Sequence, residues 1–196
     1  MALTTRSISD ILTRIRYTLQ DASGTRWTDE EMYVYIDDAM RDIALRTFYR
    51  RISQDISINT TDTLYYLDYE AIKIHSIASA QQITIEDATT LSIESPSAEN
   101  ITVEYYAYPD RVTYGSTTVL TLEEDMYNLV IWFVLSKCYE KEDSTELLAK
   151  SGYFMQRYMD YISLNMTRWH GELDPVLAKS DFYFTSATNP SDPLSL

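Results

Sequence analysis

Four glycines, two histidines and one cysteine are all that 196 residues contain of these types. A single cysteine, Cys138, can form no intrachain disulfide, and no thiolate cluster is available for zinc or an iron–sulfur centre. Gly24, Gly115, Gly152 and Gly171 stand far apart, so there is neither a phosphate-cradling loop nor a dinucleotide fingerprint. His75 and His170 are equally isolated; no H-E-x-x-H is present, and no G-x-S-x-G elbow surrounds a serine. Basic residues are scarce too. Sixteen Lys and Arg stand against thirty Asp and Glu, for a net charge of -14. That balance excludes a general grip on nucleic acid, which depends on many cationic contacts to phosphate, and disfavours anionic membranes. The longest apolar run, Leu129 to Leu135, falls far short of the roughly 20 residues a spanning helix needs. Residues 1–10 carry no apolar stretch of the signal-peptide kind, and the default expectation is a soluble protein of a reducing cytoplasm. On the same ground the sequons at Asn59, Asn100 and Asn165 are expected to be chance.

What the chain does have is periodicity. Ile8, Ile11, Leu12, Ile15 and Leu19 recur at helical spacing and predict a helix over 7–20. Thr28 and Glu31 read as a capping box, with Trp27 and Met32 placed for a hydrophobic staple. A second helix is therefore expected from Asp29 to about Tyr49, roughly 30 Å long at about 1.5 Å per residue, burying Met32, Ile36, Ala39, Ile43 and Thr47. Its acidic start and its basic end (Arg46, Arg50, Arg51) suit the helix dipole. From Ile52 to Val119 the period drops to two. Ile56 and Ile58, Ile72 and Ile74, Ile83 and Ile85, Leu91 and Ile93, then Ile101, Val103 and Tyr105 alternate with polar neighbours. Turn-prone stretches at 59–63, 87–90 and 95–100 separate them, which predicts five or six short antiparallel strands. Residues 51–120 hold three basic against ten acidic residues, a net -7. Thr121 and Glu124 read as another capping box, opening a helix to about Lys141 that is apolar all round. A fourth helix is expected over 144–168, with Leu148, Met155, Met159, Ile162 and Met166 on one face. The tail from Trp169 has little periodicity.

The expected fold class is α+β: a four-helix bundle (1–51 and 120–168), an antiparallel β-sheet or sandwich insert between helices 2 and 3 (52–119), and an extended C-terminal tail (169–196). Neither a catalytic site nor a metal or cofactor site emerges. The acidic clusters at 29–31, 37–38, 123–125 and 140–143 read as helix starts or solvated surface, and Cys138 as a small core residue. The arginines 41, 46, 50 and 51 read either as a dipole match or as contact with an acidic neighbour or a passing phosphate. Seventeen tyrosines are the compositional anomaly. Tyr105, Tyr106, Tyr108, Tyr153, Tyr158 and Tyr161 are expected at a subunit interface, with half-buried strand positions as the alternative.

The stretch Arg16–Ile43, R-Y-T-L-Q-D-A-S-G-T-R-W-T-D-E-E-M-Y-V-Y-I-D-D-A-M-R-D-I, resembles the opening of bacteriophage head-to-tail adaptor (connector) proteins: a short helix, a D-x-x-G-x-x-W-[ST]-D-x-E turn, then a long helix. Ile101–Arg111, I-T-V-E-Y-Y-A-Y-P-D-R, resembles their last strand, and Leu120–Tyr139 their central helix. The size of the β segment is closer to the tail tubular protein A type of short-tailed phages. The resemblance implies a structural virion protein and no enzyme. It implies a ring, typically of twelve, that joins the portal protein to the tail nozzle protein and encloses the DNA exit channel. DNA would pass an acidic lumen without sequence-specific binding, and a tail fibre protein is a further partner. The implied location is the tail or neck of the virion, after assembly in the bacterial host cytoplasm, with no membrane association. Trp169, Phe182, Tyr183, Phe184, Leu194 and Leu196 would dock into the portal. Two other readings stand beside it: a binding module whose β insert recognises a tail fibre, glycan or host protein, and a metal-dependent hydrolase using the acidic pairs.

Overall fold

The computed structural model describes residues 3–141 and 144–170, with side chains described through Asn165. The protein is mixed α and β, with four helices and antiparallel sheets among the described residues. It divides into two compact units, one of residues 3–49 and 109–170, the other of residues 50–108. No described helix is long and apolar enough to cross a membrane.

The first unit opens with β1 (Leu3–Ser7), which pairs antiparallel with β8 (Val119–Glu123). Helix α1 (Ile8–Leu19) is capped by Ser7, whose hydroxyl accepts from the Ser9 N–H at 3.1 Å. The whole predicted stripe of α1 is buried. Helix α2 (Asp29–Thr47) begins at the predicted cap and buries Met32, Ile36, Ala39, Ile43 and Thr47 as expected. Helix α3 (Tyr127–Glu140) follows a 3-10 turn at Glu124–Met126 and packs against α1, α2 and α4 (Thr145–His170). Its run 129–135 is buried at every position but Trp132, which is half-buried.

Three expectations need correction. Residues 119–123 are a strand, because Leu120 and Leu122 turn into the core with period two. The Thr121 hydroxyl lies 3.4 Å from that of Thr5 across the β1–β8 pair, so the second capping box does not form. In α4, Leu148 is exposed and the buried line runs through Ser151, Tyr158 and Ile162. The Ser151 hydroxyl meets that of Ser136 at 3.1 Å, and the Tyr158 hydroxyl donates to Asp42, so polar residues lie on a stripe that apolar spacing cannot reveal. Met166 lies beyond the described side chains.

The second unit has six strands. β2 (Arg51–Ile58) and β4 (Ala71–Ala78) flank β7 (Glu99–Ala107), and β3 (Leu64–Tyr66) and β5 (Thr84–Ile85) flank β6 (Thr90–Ser92). All pairings are antiparallel. Ile56, Ile58, Ile74, Leu91, Ile101, Val103 and Tyr105 form its core. The turns are chemically closed. The Asn59 carboxamide oxygen accepts from the Thr61 and Asp62 N–H groups at 2.9 and 2.7 Å, and Asp87 accepts from the Thr89 N–H at 2.7 Å.

Candidate functional site

The most tightly built feature of the helical unit is the corner between α1 and α2. Helix α1 ends on Gln20 in the left-handed region, at φ 57°. The Asp21 carboxylate then accepts the backbone N–H groups of Thr25, Arg26 and Trp27 at 3.1, 3.3 and 3.1 Å. Arg16 closes the corner from outside, donating to the Asp21 and Trp27 carbonyls at 3.1 and 3.2 Å and pairing with the carboxylates of Asp21 and Asp29. Gly24 sits at φ +66°, and a Cβ there would lie 2.8 Å from the Arg16 guanidinium. The left-handed backbone there favours glycine, and a Cβ would displace the Arg16 guanidinium. Trp27 is buried, and its indole N–H donates to the Cys138 carbonyl at 3.1 Å, tying the corner to α3. Burial works to raise the Asp21 pKa, but the three amides and Arg16 prevail and hold its carboxyl below the ordinary range. The carboxylate is thus fixed as an anion that accepts hydrogen bonds, which suits a turn and not proton transfer.

The expected capping box forms by half. Thr28 Oγ1 accepts the Glu31 N–H at 3.2 Å. The Glu31 carboxylate turns instead to the Tyr35 hydroxyl at 3.0 Å and to Lys141 Nζ at 2.8 Å.

The other acidic candidates hold similar structural positions. Asp37 is not merely solvated: it accepts from Arg111 at 2.7 Å and from the Val112 N–H at 2.8 Å, anchoring the segment after residue 108. Burial and the neighbouring Asp37 raise the pKa of Asp38. Glu124 pairs with Arg6, and Glu140 with Lys137. Glu142 and Asp143 lie outside the described residues. No three His, Cys, Asp or Glu residues among the described residues converge as metal ligands. Cys138 is buried, and desolvation pushes its thiol up to about 12, as befits a core residue. His75 Nδ1 is buried without a hydrogen-bond partner, while its Nε2 is 4.0 Å from Glu104. His170 lies beyond the described side chains. The arginine cluster is engaged within the chain. Arg46 pairs with Asp42, Arg51 with Glu104, and Arg50 donates to the Tyr108 carbonyl, each at 2.7 Å.

The tyrosines separate into two groups. Tyr105, Tyr106, Tyr108 and Tyr158 are buried inside the single chain, so these four are core residues and not free interface surface. Tyr158 donates to Asp42; burial first, then that carboxylate, raises its pKa. Tyr161 is half-buried against Trp132, and Tyr153 is exposed. Exposure falls mainly on tyrosines outside that set of six: Tyr17 (86% exposed), Tyr66 and Tyr114. The tail residues Phe182, Tyr183, Phe184, Leu194 and Leu196 lie outside the described residues, as does the side chain of Trp169.

Beside Tyr17 the helical unit carries an apolar groove of about 460 Å³, formed by α1, α3 and α4. Ile131, Trp132 and Leu135 line it from α3, Phe154 from α4, and Arg14 and Tyr17 from α1. The half-buried Trp132 in an otherwise enclosed helix run marks its floor. No protein-family model matches this sequence, and no curated protein matches it.

Proposed function

We propose that this chain is a structural ring subunit, a head-to-tail adaptor of a short-tailed bacteriophage that joins portal to tail nozzle and performs no catalysis. The observation that carries the reading is the Asp21–Asp29 corner. The residues that resemble the adaptor opening are Asp21, Gly24, Trp27, Thr28, Asp29 and Glu31. Each serves the architecture in its own way. Asp21 accepts the turn amides, Gly24 admits Arg16, Trp27 ties the corner to α3, Thr28 caps α2, and Asp29 pairs with Arg16. Glu31 turns to Tyr35 and Lys141. A motif whose members are all taken up by bonds within the chain is what a mechanical part requires. The packing of α3 against α1, α2 and α4 supports the finer architecture, four helices as one bundle with the six-stranded unit inserted between α2 and α3.

In a ring of about twelve copies, a charge of -14 per chain keeps phosphate from sticking in the channel, within the roughly 8 Å reach that salt allows. Lateral contacts draw on the exposed aromatics Tyr17, Tyr66, Tyr114 and Tyr153 and not on the buried ones. The tail carries Phe182, Tyr183 and Phe184 to the portal. The neck of the virion is the working location, reached after assembly in the host cytoplasm. The six-stranded unit faces the nozzle or a fibre.

Co-sedimentation of the purified chain with portal rings tests the proposal. The expected result is stoichiometric attachment, reduced by deleting residues 180–196 while the helical circular dichroism is retained. A chain that stays monomeric and sediments apart from portal rings contradicts it.

A further inference from the structure

The groove beside Tyr17 carries a free cation on its wall. Arg14 lines it, and no carboxylate pairs with that guanidinium among the described residues. Arg16, Arg46 and Arg51, by contrast, are each held by a carboxylate. An apolar hollow of about 460 Å³ with a free cation suits an aromatic side chain flanked by an acid.

The same helical unit presents that combination on another flank. Tyr114 is more than half exposed and stands on the turn 113–117. The turn is stiff: the Thr117 N–H donates to the Thr113 carbonyl at 3.0 Å, and the Thr113 N–H donates to Thr117 Oγ1 at 3.1 Å. The Tyr114 ring packs edge-on against Tyr33, with centroids 5.3 Å apart. Gly115, at φ +80°, has nothing within 4 Å of where a Cβ would stand, so the turn is clear of its surroundings. Glu30 borders the same hollow as Tyr114. Its carboxylate has neither hydrogen bond nor ion pair among the described residues, whereas Asp29 beside it is taken by Arg16. A preset aromatic next to an unpaired acid has little freedom to lose on docking.

One copy cannot dock on itself this way. Arg14 lines the groove, and Arg16 borders the hollow of Tyr114 and Glu30. Two residues turn about 200° around a helix, so the two sites lie on opposite flanks of α1. Each copy thus offers a groove on one flank and an aromatic knob on another, which is the requirement for head-to-tail contact and not for a two-fold pair. We propose that the groove between α1, α3 and α4 of one copy receives Tyr114 of a second copy, with Glu30 of that second copy against Arg14. The inference rests on the ring reading and names the lateral contact that reading needs.

Charge exchange on portal rings tests it. R14E and E30R each set like charges together at every contact between identical copies. Each alone should form collars at least about tenfold less readily than the wild type, with its helical circular dichroism retained. An equal mixture of the two should recover, because alternating copies restore opposite charges at every contact. Y114S should weaken assembly by a similar factor. In the assembled wild type, hydroxyl-radical labelling of Tyr114 and Trp132 should fall severalfold together. Collars undiminished in either single variant overturn the contact and leave the ring reading standing. So does a mixture that fails to recover, and so does labelling that falls at Trp132 but not at Tyr114, which gives the groove to another occupant. A wild type that forms no collar and does not self-associate overturns both.

Discussion

The two units use their polar side chains in different ways. In the helical unit, polar groups close on backbone. Asp21 takes three amides, Thr28 caps α2, and Asp37 accepts the Val112 N–H. In the six-stranded unit, polar side chains close turns on backbone as well, at Asn59 and Asp87, but several also pair with each other across strands: Ser57 with Asn100 at 2.9 Å, Asp55 with Thr102 at 2.7 Å, and Arg51 and Ser76 both with Glu104. A side chain that satisfies a backbone group at a corner has no substitute. A surface pair between strands has one, because water solvates both partners when the pair breaks. The helical unit therefore concentrates its specification in a few residues, while the sheet unit spreads it along the strands.

The sharpest way to break that comparison is Trp27→Ala, which removes a buried ring and its bond to the Cys138 carbonyl. Urea denaturation should show a loss of about 3–5 kcal/mol. A loss below about 1 kcal/mol would mean the corner is not concentrated at all. Asp21→Asn should cost about 1–3 kcal/mol at pH 7, since it weakens bonds to otherwise unpaired amides. The sign with pH is fixed by the lowered carboxyl pKa. The contribution is complete above the ordinary Asp value near 3.8 and is lost as pH falls through the lower folded value. In an acid titration the wild type should therefore lose its advantage and converge on the variant below that point. Gln20→Gly should stabilise by up to about 1 kcal/mol, because Gln20 holds a left-handed backbone at φ 57°. Thermal unfolding reads this gain. On the sheet side, Ser57→Ala should change stability by no more than about 0.5 kcal/mol. A larger loss would show that surface pairs carry the sheet. Tyr17→Ser should leave the melting temperature of the single chain unchanged, since the ring is 86% exposed, and act only on association.

Much of the helical unit was legible because its signals are local. The stripes of α1 and α2 repeat within four residues, and the Thr28 cap stands next to the residues it serves. β8 was misread because Thr121 and Glu124 imitate a capping box, whereas the strand's partner is β1, more than 110 residues away. The buried line of α4 was displaced because Ser151 and Tyr158 are buried by hydrogen bonds that apolar spacing does not count. In the sheet unit, alternation marked most strands, but not that β2 pairs with β7 nearly fifty residues on. The corner sequence was visible; the role of Asp21 in it was not, because three accepted amides leave no periodic trace. The groove was illegible, since Tyr17, Trp132 and Phe154 meet only once three helices have packed. Tyrosine abundance pointed to interfaces, yet four of the chosen six became core.

Electron imaging of the purified chain mixed with portal rings tests the ring assignment most directly. The predicted image is a closed collar of about twelve copies on one face of the portal, with density around an open axial channel. Bare portals beside free single copies would contradict it.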